Sequence, residues 1–136
     1  MPMQAIKWDE SMSTGVDSLD SQHKQLISWL NDLLVAMSEG RGRSEVDGLL
    51  QQLGAYAALH FGNEEDCFEK YRCPFAAQNA AAHREFIATF QNLRDEYDTT
   101  GATSSLVVRV QSELMRWLAA HIRRTDTTLR DFVRPD

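Results

Sequence analysis

The sequence has no surplus of positive charge, no apolar run long enough to cross a bilayer and only two cysteines, and each absence removes a class of protein. Lys and Arg number 14 against 20 Asp and Glu, a net charge of −6. A phosphate backbone needs a basic surplus, so nucleic acid is excluded as the main partner. Three small Arg clusters (Arg41 with Arg43, Arg123 with Arg124, Arg130 with Arg134) each lie near acidic residues. No stretch approaches the roughly 20 apolar residues of a membrane helix, so no membrane partner is expected. The first residues lack the charged-then-apolar pattern of a signal peptide, which makes the cytoplasm the expected location. Cys67 and Cys73 are six residues apart, which is not a zinc-type CxxC pair, and in that compartment both are expected to be reduced. No Ser/His/Asp nucleophile set or phosphate-binding loop is recognisable, so any catalysis would belong to a bound metal. No strand alternation or internal repeat is evident.

What is present is helical periodicity. At 136 residues, 43% apolar and 25% charged, the chain reads as one domain spanning 1–136 with a real hydrophobic core. Residues 1–17 read as an irregular arm containing Pro2, with Trp8 and Val16 as apolar beads that cover one end of a bundle. A first helix over about 18–38 carries Leu19, Leu26, Ile27, Leu30, Leu33, Leu34 and Met37 at helical spacing and stops at Gly40 and Gly42. A second, over about 44–71, opens at Ser44 as N-cap. Its stripe is Leu49, Leu50, Leu53, Tyr56, Leu59, His60, Cys67 and Phe68, and Gly54 is placed to permit close helix contact. Pro74 ends that helix and opens a third over about 74–97, through Phe75, Ala81, Ala82, His83, Phe86, Ile87, Phe90 and Leu93. A fourth over about 104–123 carries Leu106, Val107, Val110, Leu114, Trp117, Leu118, His121 and Ile122. Short connections between amphipathic helices predict an all-α fold, an antiparallel up-down-up-down four-helix bundle.

The chemistry lies in the histidines. The chain has four, His23, His60, His83 and His121, one on the inward stripe of each helix. Glu64 follows His60 by four residues, which places imidazole and carboxylate on one helical face. Asp126 follows His121 by five; that spacing shares a face only if the helix bends, takes a π-type turn or ends there. A lone inward histidine is usually a core residue with a partner. Four such residues together, each costing roughly 1–3 kcal/mol if unsatisfied, point instead to a metal centre that supplies partners. Imidazole suits iron, zinc, copper or nickel, and carboxylates disfavour copper(I). Four imidazoles and two carboxylates exceed the needs of one tetrahedral zinc and better fit two metals bridged by Glu64 and Asp126. Glu65 and Asp66 are expected on the solvated face.

Five segments together carry a family resemblance: Trp8-Asp9; Asp20-Ser-Gln-His23 with Leu26; Tyr56-x3-His60-Phe-x2-Glu64-Glu65; His83-x2-Phe86; and Trp117-Leu118-x2-His121-Ile-x3-Asp126. From Trp8 to about Phe132 the chain resembles the hemerythrins, in particular their single-domain bacterial branch. The resemblance implies a four-helix bundle around a non-haem di-iron centre that binds dioxygen. It implies that His23 and His60 hold one iron, that His83 and His121 hold the other, and that Glu64 and Asp126 bridge them. It also places Leu118 in a dry oxygen pocket. Tyr56, four before His60, is expected to pack or hydrogen-bond behind the ligands or to border that pocket.

One position departs from the pattern. The third helix of the family carries His-x3-His, and here the first member is Asn79, so a five-histidine centre becomes one of four. Asn79 can donate its amide oxygen weakly or hold a water in the vacated position. Either way that iron is expected to be more Lewis acidic and less tightly held. Cys67, three after Glu64, is expected to face the core near the site, either as a small buried hydrophobe or as a redox-sensitive thiol. The leading functional reading is a monomeric dioxygen-binding protein for storage, delivery or sensing, rather than an enzyme. The alternatives are a di-iron redox enzyme acting on oxygen, peroxide or nitric oxide with an electron donor as partner, and a degenerate single-metal or iron-handling member.

Overall fold

A computed structural model describes residues 5–134, so residues 1–4 of the arm, with Pro2, lie outside the described residues. Four long helices follow in order: α1 (Asp17–Ser38), α2 (Gly42–Lys70), α3 (Ala76–Thr100) and α4 (Ser104–Arg124). A 3-10 turn at Glu10–Met12 precedes them and another at Asp126–Asp131 follows. No strand occurs among the described residues. α1 packs on α2 and α4, α2 on α3 and α3 on α4, which closes a four-helix bundle. A 22-residue helix is about 33 Å long, whereas a three-residue connection spans about 10 Å. Neighbours packed side by side through such connections must run antiparallel. No described helix is long and apolar enough to cross a membrane.

The helix ends follow from local chemistry. α1 closes at Gly40, whose φ of +76° suits glycine, with Arg41 N donating to Ala36 O at 2.7 Å and Gly40 N to Met37 O at 3.2 Å. α2 begins at Gly42, two residues before the expected start. Ser44 lies inside its first turn and its hydroxyl donates to Arg41 O at 2.9 Å, so Ser44 is not the cap. α2 stops before Pro74 through the same type of closure: Arg72 adopts a φ of +52° and Cys73 N donates to Phe68 O at 2.9 Å. Pro74 therefore sits in the connection, and α3 starts at Ala76. α3 runs on to Thr100, where Gly101 with φ +76° ends it. Thr103 caps α4 by accepting from Leu106 N at 3.0 Å.

Two apolar clusters fill the bundle. The larger runs from Leu26 through Leu50, Phe61, Phe86 and Leu114 to Ile122, with Trp8 packed against it. The smaller holds Leu19, Phe68, Cys73 and Leu129, with Val16 packed against it. The arm is tied to α1 by Asp20, whose carboxylate accepts from Thr14 N at 2.8 Å and from the Ser13 hydroxyl at 2.7 Å. Leu59, Ile87 and Phe75 do not reach the core and are 58%, 53% and 38% exposed. Leu59 and Ile87 are one residue, a 100° turn, away from the buried His60 and Phe86, which carries them off the inward stripe. At Gly54 a Cβ would stand 2.8 Å from Phe90 Cζ, so its absence does allow close contact between α2 and α3.

Candidate metal centre

Four helices and the C-terminal turn each place polar side chains in one buried layer. α1 supplies His23, α2 supplies His60 and Glu64, α3 supplies Asn79 and His83, α4 supplies His121, and the turn supplies Asp126. All are buried; His23, Glu64, Asn79 and Asp126 have no exposed surface. The layer lies between the two apolar clusters. Along α1 the order is Leu19, His23, Leu26; along α2 it is Phe61, Glu64, Phe68; along the last segment it is Ile122, Asp126, Leu129. Water is thus kept from both ends.

The donor atoms form two groups that share their carboxylates. In the first, His23 Nε2 is 2.9 Å from Glu64 Oε2 and 3.0 Å from Asp126 Oδ2, and His60 Nε2 is 3.0 Å from Glu64 Oε2. In the second, His83 Nε2 is 2.7 Å from Glu64 Oε1, and His121 Nε2 is 3.6 Å from Glu64 Oε1 and 3.0 Å from Asp126 Oδ1. Glu64 and Asp126 therefore each turn one oxygen toward each pair of imidazoles. Within each group the ligand atoms all lie within 4.8 Å of one another. His121 meets Asp126 because α4 ends at Arg124 and the chain tightens into the 3-10 turn, which is one of the three ways the five-residue spacing can work.

The ring nitrogens facing away from the centre are held differently. His60 Nδ1 lies 2.6 Å from Gln22 Oε1 and His83 Nδ1 lies 2.9 Å from Glu65 Oε2. Both partners are acceptors there, so each ring donates from Nδ1 and turns Nε2 toward the centre. Glu65 is thus a partner of His83 rather than a purely solvated carboxylate. Phe61 stacks on His83 with centroids 3.9 Å apart, and Trp117 stacks on His121 at 4.6 Å. Burial lowers the pKa of His23, but its contacts with Asp126 and Glu64 outweigh this and push it up to about 10. The same opposition leaves His121 raised to about 9. Burial alone would raise Glu64; hydrogen bonds from His121, His23, His60 and His83 hold it well below its ordinary value.

Side-chain pairing by itself leaves this layer unsatisfied. His23 Nε2 cannot donate one proton to both Glu64 and Asp126, and Asp126 Oδ2 has no hydrogen bond despite complete burial. Lone pairs that converge without a shared proton suit a cation between them, and a set of imidazole nitrogens and carboxylate oxygens fits a first-row transition metal. The end of the Asn79 side chain also enters the second group, 3.1 Å from His121 Nε2 and 3.2 Å from Asp126 Oδ1, Glu64 Oε1 and His83 Nε2.

Other residues singled out from the sequence lie around this layer. Leu118 is buried in the larger cluster, one position from Trp117, which stacks on His121. Tyr56 is half-buried and packs edge-on against Trp29 with centroids 5.0 Å apart. Cys67 is half-buried against the smaller cluster, and burial raises its thiol pKa. Sequence reasoning passes over Gln22 as a histidine partner and places Glu65 on the solvated face. Gln22 directly precedes His23 and is overshadowed by it, while Glu65 adjoins Glu64 in a run that reads as surface charge.

Comparison with known proteins agrees with this architecture. Residues 14–133 match the hemerythrin HHE cation binding domain. The chain is 30% identical over 132 residues to a bacteriohemerythrin of Stenotrophomonas maltophilia, covering 97% of this chain and 84% of that protein. It is 27% identical over the same span to a bacteriohemerythrin of Pseudomonas paraeruginosa, with the same coverage. Myohemerythrin-1 of Phascolopsis gouldii is 26% identical over 119 residues, covering 88% of this chain and 87% of that one. The matched span contains every residue of the buried polar layer, and on that footing the chain belongs to the hemerythrin family.

Proposed function

We propose that the buried layer holds two iron ions and that the chain binds dioxygen. The observation that carries this reading is the division of both carboxylates: Glu64 and Asp126 each face His23 with one oxygen and His121 with the other. His23 and His60 would hold one ion, His83 and His121 the other, and the two carboxylates would bridge them. Bound iron supplies the electrons that dioxygen binding requires. The chain's own residues set the conditions. Gln22 and Glu65 fix the protons of His60 and His83 on Nδ1, which leaves both Nε2 lone pairs available. Phe61 and Trp117 stack on His83 and His121, Leu118 is buried in the same apolar cluster, and together they would keep the layer dry. Dryness favours reversible binding, because water and protons would promote irreversible oxidation of the metal.

A second reading, turnover of oxygen, peroxide or nitric oxide with an electron donor, draws its support from Asn79. A weaker donor than histidine stands beside His83 and His121. Metal analysis of protein from iron-supplemented cells, with visible spectra before and after reduction and exposure to air, separates the readings. Two irons per chain with an absorption band that appears with oxygen and bleaches on deoxygenation support binding. Two irons that oxidise at once without a stable band favour turnover. One metal or none rejects the two-iron centre.

A further inference from the structure

The two donor groups differ by one side chain, and that side chain is Asn79. Its amide is fully buried. It stands 3.1–3.2 Å from all four donor atoms of that group, His83 Nε2, His121 Nε2, Glu64 Oε1 and Asp126 Oδ1. Donors at right angles around a first-row metal, with bonds of about 2.1 Å, are separated by about 3 Å. A position equidistant from four such donors is therefore that of a fifth donor. It is too far from them to be the metal position, which would lie about 2.1 Å from each. In α3, Asn79 and His83 are one turn apart on the same face, so the backbone aims both into one group.

The amide can turn either end inward. With nitrogen inward it donates to imidazole and carboxylate atoms, which suits a group without a cation. With a cation among those atoms the nitrogen is repelled and, its lone pair being delocalised, cannot ligate; the oxygen can. We infer that the Asn79 amide oxygen is a fifth protein donor to the second metal position, so that this position has five protein donors while the first has four. The inference rests on the two-metal reading above. It makes the two positions unequal: removing the Asn79 oxygen weakens one metal and spares the other.

Cobalt(II), titrated calorimetrically into the metal-free full chain under inert gas, tests this with two variants. Asn79→Leu keeps the branched outline without a donor, and Asn79→Asp keeps the shape with an anionic oxygen. Loss of residues that only support a metal ligand already costs 10–100-fold in affinity, so N79L is expected to weaken one equivalent by at least about tenfold. The other equivalent should stay within about twofold, and N79D should bind the affected equivalent at least as tightly as the unaltered chain. Both equivalents of N79L staying within about twofold of the unaltered chain, or N79D binding as weakly as N79L, would overturn the inference. If N79L does not fold, N79D decides alone: equal or tighter binding at one equivalent supports the fifth donor and weaker binding rejects it. An unaltered chain that takes up fewer than two cobalt ions overturns the two-metal reading and this inference with it; two ions with an indifferent N79L overturn only the inference.

Discussion

His121 Nε2 and Asp126 Oδ1 lie 3.0 Å apart although five residues separate them along the chain. A continuous α-helix would put them on different faces. They meet because α4 stops at Arg124, Thr125 turns the chain, and Asp126 opens a 3-10 turn whose Leu129 is buried in the smaller apolar cluster. The anchoring of a leucine thus positions a carboxylate that the sequence pattern could only place conditionally.

Glu64 contacts all four histidines, so its charge matters before any metal is present. Glu64→Gln should destabilise the metal-free chain by about 3–5 kcal/mol, the cost of breaking a buried ion pair from one side. It should also abolish stoichiometric binding of two metals, because Glu64 serves both groups. Urea denaturation and metal analysis after equilibrium dialysis check the two parts.

The raised pKa values of His23 and His121, about 10 and about 9, have a definite sign for the metal-free chain. A histidine raised above its ordinary 6.5 contributes stability that is fully present below that value and lost as pH rises through the folded pKa. The metal-free chain should therefore have a lower urea midpoint at pH 10 than at pH 7. Metal must displace those protons, so uptake at pH 7 should release protons into weak buffer, and apparent affinity should rise as the pH is raised from 6 toward 9. A calorimetric titration in buffers of different ionisation enthalpy measures the release.

Gln22 and Glu65 act only through the imidazoles they hold. Gln22→Ala and Glu65→Ala should each lower metal affinity about 10–100-fold while leaving the helical circular dichroism unchanged. Restoring an acceptor separates this from general damage: Glu65→Gln should recover part of the loss. Competition against a coloured chelator gives the numbers.

Two backbone sites should tolerate stabilising changes. Gly62 lies on the exposed side of α2, and an added Cβ there would have nothing within 4 Å, so Gly62→Ala should add about 0.5–1 kcal/mol. Arg72 sits at φ +52°, where glycine avoids the steric cost of a side chain, so Arg72→Gly should add about 1 kcal/mol. Thermal melts of the metal-free chain would show a raised midpoint for both.

Much of the bundle is legible in the sequence because its signal is local and periodic. Leu26, Leu30 and Leu33 in α1 and Leu50 and Leu53 in α2 repeat at helical spacing and are all buried, and Gly40 ends α1 with the positive φ that favours glycine. Helix ends are less legible. Ser44 has the chemistry of a cap but lies within the first turn of α2, and Pro74 reads as the helix stop although the closure at Arg72 comes first. Leu59 and Ile87 show the limit of apolar identity as a guide, since a single-residue rotation carries a leucine or isoleucine from core to solvent.

By itself the sequence determined that the four histidines, with Glu64 and Asn79, face inward. Helical periodicity put His23, His60 with Glu64, His83 with Asn79, and His121 on the buried stripes of four helices, and that requires only a 3.6-residue repeat. Only the tertiary structure decided how those stripes meet at one depth: which oxygen of Glu64 faces which pair of imidazoles, that Asp126 returns to the layer, that Gln22 and Glu65 hold the outer ring nitrogens, and that Asn79 enters one group and not the other. The reason is that periodicity fixes rotation about a helix axis, whereas the relative height of neighbouring helices is set by side-chain packing between them and leaves no repeat in the sequence.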